Sequence, residues 1–161
     1  MILNNKKDNK LNFHQKVILN NVNPEDVIRS FHDYNFVQFL TFAQPVRIEK
    51  WDGIDSNKKA SFSFWFFGWK RIVVIHKKYE ATKNELHFQD IGVQLPFDLF
   101  LWRHAHIVEP YGNGSVIIDD VVMDNSSILK KYFICPLMIF PVFIRRITYR
   151  IWFYYLRPKH Y

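Results

Sequence analysis

The stretch that decides the fold is residues 88–122, FQDIGVQLPFDLFLWRHAHIVEPYGNGSVIIDDVV. Trp102, His104 and His106 occur there at every second position, and side chains two residues apart share one face of an extended strand. The YGNG sequence at residues 111–114 is typical of a turn, because Gly and Asn tolerate positive φ. The SVIIDDVV that follows predicts a second strand, which pairs with the first as a hairpin.

The composition is that of a single basic domain rich in aromatic residues. A length of 161 residues suits one domain with a sizeable core, and aromatic residues make up 18% of it. Such an aromatic content suits a lined cavity, a membrane-facing surface or simply a core. The 22 Lys and Arg exceed the 15 Asp and Glu, so the net charge is +7. This excess favours an anionic partner, which could be a membrane surface, a nucleic acid or an acidic ligand.

The ends of the chain and its cysteine content predict the organisation and compartment. We expect a polar leader at residues 1–12, one domain at residues 13–157 and a basic tail at residues 158–161. The leader lacks the apolar core of a signal peptide. The lone Cys135 lies in an apolar run and is typical of a buried small hydrophobe in a reducing compartment. These observations predict a cytoplasmic protein.

The remaining periodicity predicts an α+β chain. A strand at residues 13–21 precedes a helix that starts at Asn23 and Pro24, and residues 34–42 are spaced for a second short helix. From Pro45 the pattern alternates, which predicts about six consecutive strands paired as antiparallel hairpins.

Residues 136–156 predict a long amphipathic C-terminal helix. Its apolar residues recur at steps of three and four, which predicts the face that packs on the sheet: Phe140, Ile144, Ile147, Ile151 and Tyr154 or Tyr155. The longest uncharged run, residues 132–144, is too short for a helix that spans a membrane.

The order of elements resembles the helix-grip plan of the SRPBCC (START-like) superfamily, which includes birch-pollen-allergen-like proteins and polyketide cyclases. The middle of the chain is similar to a bacterial branch with F-x-D, G-P-F, W-x-H-x-H and D-x-V motifs. The matching positions are Phe88, Asp90, Pro96, Phe97, Trp102, His104, His106, Asp120 and Val122. Leu95 replaces the usual Gly before Pro-Phe, and no Pro-Leu-Gly-type turn follows the last strand. The resemblance implies a sheet of about six to seven strands around the helix, with an apolar ligand between them.

The predicted function is binding of a small hydrophobic or amphipathic ligand, lipid- or polyketide-like, without turnover. The candidate ligand-binding residues are an apolar set and a polar set: Phe62, Phe64, Phe66, Phe88, Trp102, Phe140, Ile144 and Ile147, with Asp90, His104 and His106. The alternative is a cyclase- or dehydratase-type enzyme that uses a His–Asp couple in the same cavity. Hydrolysis has no support, because the sequence has no nucleophile elbow, Gly-rich phosphate loop, CxxC pair or HExxH motif.

The two histidines are also candidate metal ligands. His104 and His106 can share a divalent metal if Asp90, Asp119 or Asp120 joins them. Asp119 and Asp120 point to opposite faces of a strand, so only one of them can join. Structural or ligand-contacting histidines are more common, so we expect neither a tightly bound metal nor a cofactor.

Two surfaces suggest partners. Trp65, Phe67 and Trp69 alternate on the outward face of a strand, which suits a homodimer contact or a membrane. Arginines 145, 146, 150 and 157 lie beside the aromatic residues 152–155, which suits weak peripheral membrane contact. The alternative is that these arginines are merely solvated and that Trp152 and Tyr155 face the core. Nucleic acid is not expected as a partner, because the basic residues do not follow a sheet face or a recognition helix.

Overall fold

The computed structural model describes residues 10–157, without the side chains of residues 128–131. Most of the predicted leader and the predicted tail therefore lie outside the described residues.

Seven antiparallel strands form one sheet in the order β1-β7-β6-β5-β4-β3-β2. They are β1 (Leu11–Leu19), β2 (Val46–Trp51), β3 (Lys59–Trp65), β4 (Trp69–Ala81), β5 (Leu86–Gln94), β6 (Leu99–Tyr111) and β7 (Gly114–Asn125). The predicted run of hairpins is confirmed, and β1 pairs with β7 at one edge of the sheet.

Two short helices follow β1, as the capping residues predict. Helix α1 (Pro24–Phe31) begins after Asn23, whose side-chain oxygen accepts a hydrogen bond of 3.0 Å from the backbone N–H of Glu25. Helix α2 (Tyr34–Leu40) begins in the same way after Asp33. Each cap satisfies one backbone donor that has no partner within its own helix.

The C-terminal helix starts earlier than residue 136 and is interrupted once. It comprises α3 (Ile128–Phe143), α4 (Arg145–Ile151) and a final π-helical turn (Trp152–Leu156). Ile144 separates α3 from α4. Two prolines lie within α3, and each removes one intrahelical hydrogen bond.

The predicted inward face of this helix is wrong. Phe140 and Ile147 are 51% and 50% exposed, whereas Met138, Tyr149 and Phe153 on the opposite side are buried against the sheet. Periodicity could not choose between the two faces, because the helix is apolar on both. The sheet decides the orientation, because its buried Asp119 carboxylate is contacted by Arg145 and Tyr149 on the inward face of the helix.

Three aromatic side chains at the β3–β4 turn are exposed, as their alternation predicts. Trp65, Phe67 and Trp69 all face solvent, and the guanidinium carbon of Arg47 lies 3.7 Å from the centroid of the Trp69 ring. Such a contact is worth only about 0.5–1 kcal/mol at an exposed site. A homodimer through these rings stays a prediction.

The close approach of β7 to β1 generates a test of the fold. A Cβ at Gly114 would lie 2.1 Å from the backbone oxygen of Leu19, so Gly114→Ala forces the two strands apart. We expect the free energy of unfolding to fall by about 1–3 kcal/mol in urea titrations. Gly112→Asn is the matched control, because a Cβ at Gly112 meets nothing within 4 Å and Asn tolerates its φ of 55°. Equal stability of the two variants would contradict this register.

Candidate functional site

The site lies where three neighbouring strands meet the C-terminal helix. His104 and His106 are buried on the inward face of β6, together with Trp102. The antiparallel register sets Asp90 of β5 opposite His104 and sets Asp119 of β7 opposite His106. Strand pairing therefore brings two carboxylates to the two histidines that sequence spacing had placed on one face.

Asp119 is the most buried member of this group, at 0% exposure. Its Oδ1 atom accepts a hydrogen bond of 3.0 Å from Nε2 of His104, and its Oδ2 atom accepts one of 2.9 Å from Nε2 of Gln15 in β1. Nδ1 of His106 lies 3.3 Å from Oδ1, an electrostatic contact without hydrogen-bond alignment. The sheet thus surrounds this carboxylate with polar groups from β1 and β6.

The helix completes the coordination of Asp119. Arg145 and Tyr149 are four residues apart and share one helix face. The Tyr149 hydroxyl donates to Oδ1 at 3.3 Å, and Nη1 of Arg145 lies 3.7 Å from the same oxygen. Near the break between α3 and α4, the carbonyl of Val142 accepts a second hydrogen bond from Gln15, at 2.7 Å. The helix is therefore joined to the sheet by polar contacts as well as by packing.

Asp90 holds a second pair of imidazoles. Its Oδ2 atom accepts a hydrogen bond of 3.0 Å from Nε2 of His106, and its Oδ1 atom lies 2.7 Å from Nδ1 of His76 in β4. Phe88 stacks on the His106 ring with centroids 4.4 Å apart. His106 therefore lies between two carboxylates with one face covered by an aromatic ring.

The two carboxylates are ionised. Burial by itself would raise the pKa of Asp90, but attraction to His106 and hydrogen bonds from His106 and His76 outweigh it and hold that pKa well below its usual value. The same balance holds the pKa of Asp119 well below its usual value, through its contacts with His104, His106 and Arg145.

The two histidines of β6 have opposite protonation preferences. Burial, together with repulsion from His106, lowers the pKa of His104 to about 4. Burial also opposes charge on His106, but attraction to Asp90 and contacts with both carboxylates raise its pKa. At neutral pH, His104 is therefore neutral, and the charges of Asp90 and Asp119 face the Arg145 guanidinium and the His106 imidazole, whose pKa they raise.

A cavity of about 120 Å³ adjoins this polar cluster, between the sheet and α3. Its wall is mainly apolar: Phe62, Phe64 and Trp102 line it from the sheet, and Leu137 and Met138 line it from the helix. Five polar side chains also line it: Asp90, His104 and Arg145 at the end beside the polar cluster, which we call the polar end, and Thr41 and Gln44. Apolar walls with a few convergent polar groups are the usual features of a small-molecule site.

Of the predicted ligand-binding residues, five line this cavity: Phe62, Phe64, Asp90, Trp102 and His104. Their role in binding stays a prediction. His106 and Phe88 lie behind the cavity in the stacked pair described above. Phe66 lies beyond β3, in edge contact with Phe97 and Phe67.

The predicted residues from the C-terminal helix do not line the cavity. Phe140 and Ile147 are on the outward face and are half exposed, and Ile144 lies at the helix break. The periodicity that predicts these three residues also predicts the wrong helix face. The helix contributes Leu137, Met138, Pro141, Val142 and Arg145 instead.

The sequence did not predict four members of the polar cluster, and it left the choice between Asp119 and Asp120 open. Gln15, His76, Arg145 and Tyr149 carry no local signal, because strand register and helix docking bring them in. Arg145 was expected in a solvated basic group, but it lies against the buried Asp119.

Of the two neighbouring acids, the structure buries Asp119, and the D-x-V match at Asp120 and Val122 stays a prediction. The structure buries Asp119 and Val121 on the inward face, whereas Asp120 is half exposed beside His14. Because successive side chains of a strand point to opposite faces, the sequence alone was compatible with either Asp119 or Asp120 facing inward.

Three residues have the geometry of a metal site. One ligand atom each from Asp90, His104 and His106 lies within 4.8 Å of the others. Two histidines and a carboxylate suit zinc or iron. Each Nε2 atom is already hydrogen-bonded to a carboxylate, and His106 would have to lose a proton that Asp90 stabilises. The expectation of no tightly bound metal therefore stays a prediction.

The burial of Asp119 generates a stability test. Asp119→Asn keeps the shape but removes the charge opposite Arg145 and His106, so we expect the free energy of unfolding to fall by about 3–5 kcal/mol. Asp120→Asn is the matched control, because its side chain is 49% exposed and its contact with His14 is long. We expect the control to change stability by less than about 1 kcal/mol in urea titrations. A loss in the control that matches the loss in Asp119→Asn would contradict the assigned frame.

The pKa of His104 generates a pH test. Its pKa is lowered from 6.5 to about 4 in the folded state, so the unfolded chain binds the proton first as the pH falls. Stability is therefore lost between pH 6.5 and about 4, by about 3 kcal/mol from this residue. The pKa values of Asp90 and Asp119 are lowered as well, so their stabilisation is lost only at more acidic pH.

His104→Gln removes this titration while an amide N–H can still donate to Asp119. We expect the variant to lose less stability than the wild type between pH 6.5 and 4.5, measured by urea denaturation at several pH values. Parallel pH profiles for the two proteins would refute a neutral, buried His104.

No protein-family model matches this chain, and no curated protein matches it. Its fold does match solved structures. A protein of unknown function, SA2116, from Staphylococcus aureus is 12% identical over 88% of this chain and 93% of its own, with a TM-score of 0.59. The Aha1 protein of Colwellia psychrerythraea, solved as a dimer, is 11% identical over 92% of this chain and 98% of its own, with a TM-score of 0.55.

Ara h 8.0201, whose fold is of the birch-pollen-allergen type, is 13% identical over 86% of this chain and 95% of its own. Its TM-score is 0.51. At such low identity these matches show the fold alone. Together with the element order and the seven-stranded antiparallel sheet, they show that this chain has the α+β helix-grip fold.

Proposed function

We propose that this protein binds a small apolar or amphipathic molecule, without turnover, in the cavity between the sheet and α3. The observation that carries the proposal is a mainly apolar cavity in which Asp90, His104 and Arg145 lie together in the wall. The fold supports it too, because a helix that lies across a sheet leaves space between them. The resemblance to the bacterial SRPBCC branch also supports it.

The cavity volume limits the ligand. A closed cavity of about 150 Å³ accommodates benzene, so about 120 Å³ in a cavity that is partly open to solvent suits a molecule with a single ring. A lipid- or polyketide-like ligand needs a pocket of about 300–1,000 Å³. The wall can widen at α3, where Pro136 and Pro141 each lack the N–H that would hold the preceding helical turn. Leu137 and Pro141 lie at the cavity itself.

The polar lining favours a ligand with one or two hydrogen-bonding groups, since the buried Oε1 atom of Gln44 can also accept a hydrogen bond. Both carboxylates already accept hydrogen bonds, and Nε2 of His104 is used by Asp119. Arg145 pairs loosely with Asp119 at 3.7 Å, and its guanidinium group has five N–H donors. Arg145 is therefore the side chain that can most readily donate to a ligand oxygen.

The protonation states favour binding over catalysis. A general base works best with a pKa near the operating pH, whereas the pKa of His104 is about 4. His106 has a raised pKa, but it is stacked on Phe88 and lies behind the cavity wall. The alternative of a cyclase- or dehydratase-type enzyme depends on the His104–Asp119 couple, since His104 is the imidazole that lines the cavity.

Binding of p-cresol and toluene tests the proposal. Both have one ring, and p-cresol adds a hydroxyl that can hydrogen-bond at the polar end. We expect both to shift backbone amide NMR signals of cavity residues, and p-cresol to bind more tightly than toluene.

Val74→Phe should abolish binding of both probes, because Val74 lines the cavity and a phenyl ring fills it. Val93→Phe makes the same substitution at an exposed position of β5 and should leave binding unchanged. If Val74→Phe binds both probes as the wild type does, the cavity is not the binding site. Native mass spectrometry of the purified protein detects retained molecules. These molecules are then incubated with the protein and analysed again. A ligand that is recovered chemically altered would refute binding without turnover.

A further inference from the structure

The outward side of the C-terminal helix carries a continuous apolar stripe, which we call the outer face. Its large side chains recur at steps of three, four and seven residues and are all exposed: Phe133, Phe140, Phe143, Ile147, Ile151 and Tyr154. At 3.6 residues per turn these positions fall within about one third of the helix circumference. Exposed aromatic and aliphatic side chains in such a row indicate an interaction surface.

Basic residues border the outer face, and acidic residues are absent from this part of the sequence. Arg146 lies over the Phe143 ring, 4.1 Å from its centroid, and Arg150 is exposed one turn later. The sequence of residues 126–161 contains no Asp or Glu, whereas it contains seven Lys and Arg. The partner of the outer face must therefore combine apolar surface with negative charge.

The helix is long and apolar enough to cross a membrane by length and composition. Among the described residues it is the one helix with this property, Tyr132–Leu156, with a mean hydropathy of 1.3 and 28% of its most apolar window buried. Its other face is bound to the sheet through Tyr149, Phe153 and the contact of Arg145 with Asp119. Crossing a bilayer would place the charged Arg145 in lipid and would leave the buried Asp119 without its partners from the helix, and both are costly. A helix held in this way can lie in the plane of a membrane surface.

We propose that the outer face docks on the surface of an anionic lipid bilayer, with the helix axis in the membrane plane. The apolar stripe enters the boundary between headgroups and acyl chains, and Arg146 and Arg150 contact the anionic headgroups. Trp152 packs on Phe36 and Phe39 of the domain, so the stripe is presented by a helix that the core holds in place.

A second copy of this chain fits the outer face less well. In a two-fold symmetric dimer the same patch meets itself, so the arginines of one helix would approach those of the other. The helix offers them no carboxylate, and like charges that meet at an interface are unfavourable. An anionic bilayer offers acyl chains to the apolar stripe and negatively charged headgroups to the arginines.

Vesicle flotation tests this proposal. The full chain is mixed with phosphatidylcholine vesicles or with vesicles that also contain phosphatidylserine, at low salt and at physiological salt. We expect recovery with the anionic vesicles, less recovery at higher salt, and little recovery with the neutral ones. Each arginine near an anionic surface is worth about fivefold in partitioning, so Arg146→Gln with Arg150→Gln should lower it about 25-fold.

Substitutions of the stripe test the apolar part. Phe140→Gln with Ile147→Gln should lower partitioning by at least about tenfold, because two large side chains no longer enter the bilayer. The controls are Arg103→Gln and Val93→Gln, two exposed positions on the sheet strands β6 and β5. They should partition as the wild type does. Circular dichroism and urea titration check that every variant is folded.

Three outcomes would overturn the proposal. One is equal recovery with neutral and anionic vesicles, and another is no recovery with either. The third is a wild-type dimer in light scattering that becomes a monomer in the Phe140→Gln, Ile147→Gln variant, which would assign the outer face to a second copy. The proposal on the cavity is separate, because p-cresol binding is measured without vesicles.

Discussion

The Asp119 carboxylate, removed from water on the inward face of β7, is the constraint on which the rest of the structure depends. An unpaired buried charge is strongly destabilising, so each neighbouring element must supply a donor. Strand β1 supplies Gln15, β6 supplies His104, and the helix supplies Arg145 and Tyr149. The salt bridge adds little net stability over an apolar replacement. Its effect is to exclude helix orientations that would leave the carboxylate unpaired.

The helix orientation follows from this requirement and produces the unusual surface. Apolar residues are plentiful on both sides of the helix, so hydrophobic burial alone would accept either. Only one side presents Arg145 and Tyr149 four residues apart toward Asp119. The other side, with Phe140 and Ile147, is left exposed. The outer face is thus a consequence of satisfying one buried charge.

Local patterns predicted the elements well but could not select among equivalent long-range arrangements. Alternation and turn residues identified the strands, and the spacing of Trp102, His104 and His106 placed them correctly on one buried face. The choice between Asp119 and Asp120 depended on a register that a shift of one residue reverses. Gln15 and His76 joined the site through strand pairing alone. The helix start was missed because Pro136 resembles a first helical residue, although it lies inside α3.

The cavity and the outer face meet in a single turn of α3. Leu137 and Pro141 line the cavity, and Phe140 between them points outward. Pro141 has no N–H to donate to the carbonyl of Leu137, so this turn is held by one hydrogen bond fewer than its neighbours. The polar end of the cavity is rigid, since Asp90 and His104 are each committed to a buried partner. The helical wall is therefore the side that can move more readily than the polar end to admit a larger ligand. Because the two surfaces share that turn, any movement that widens the cavity there also moves Phe140 of the outer face.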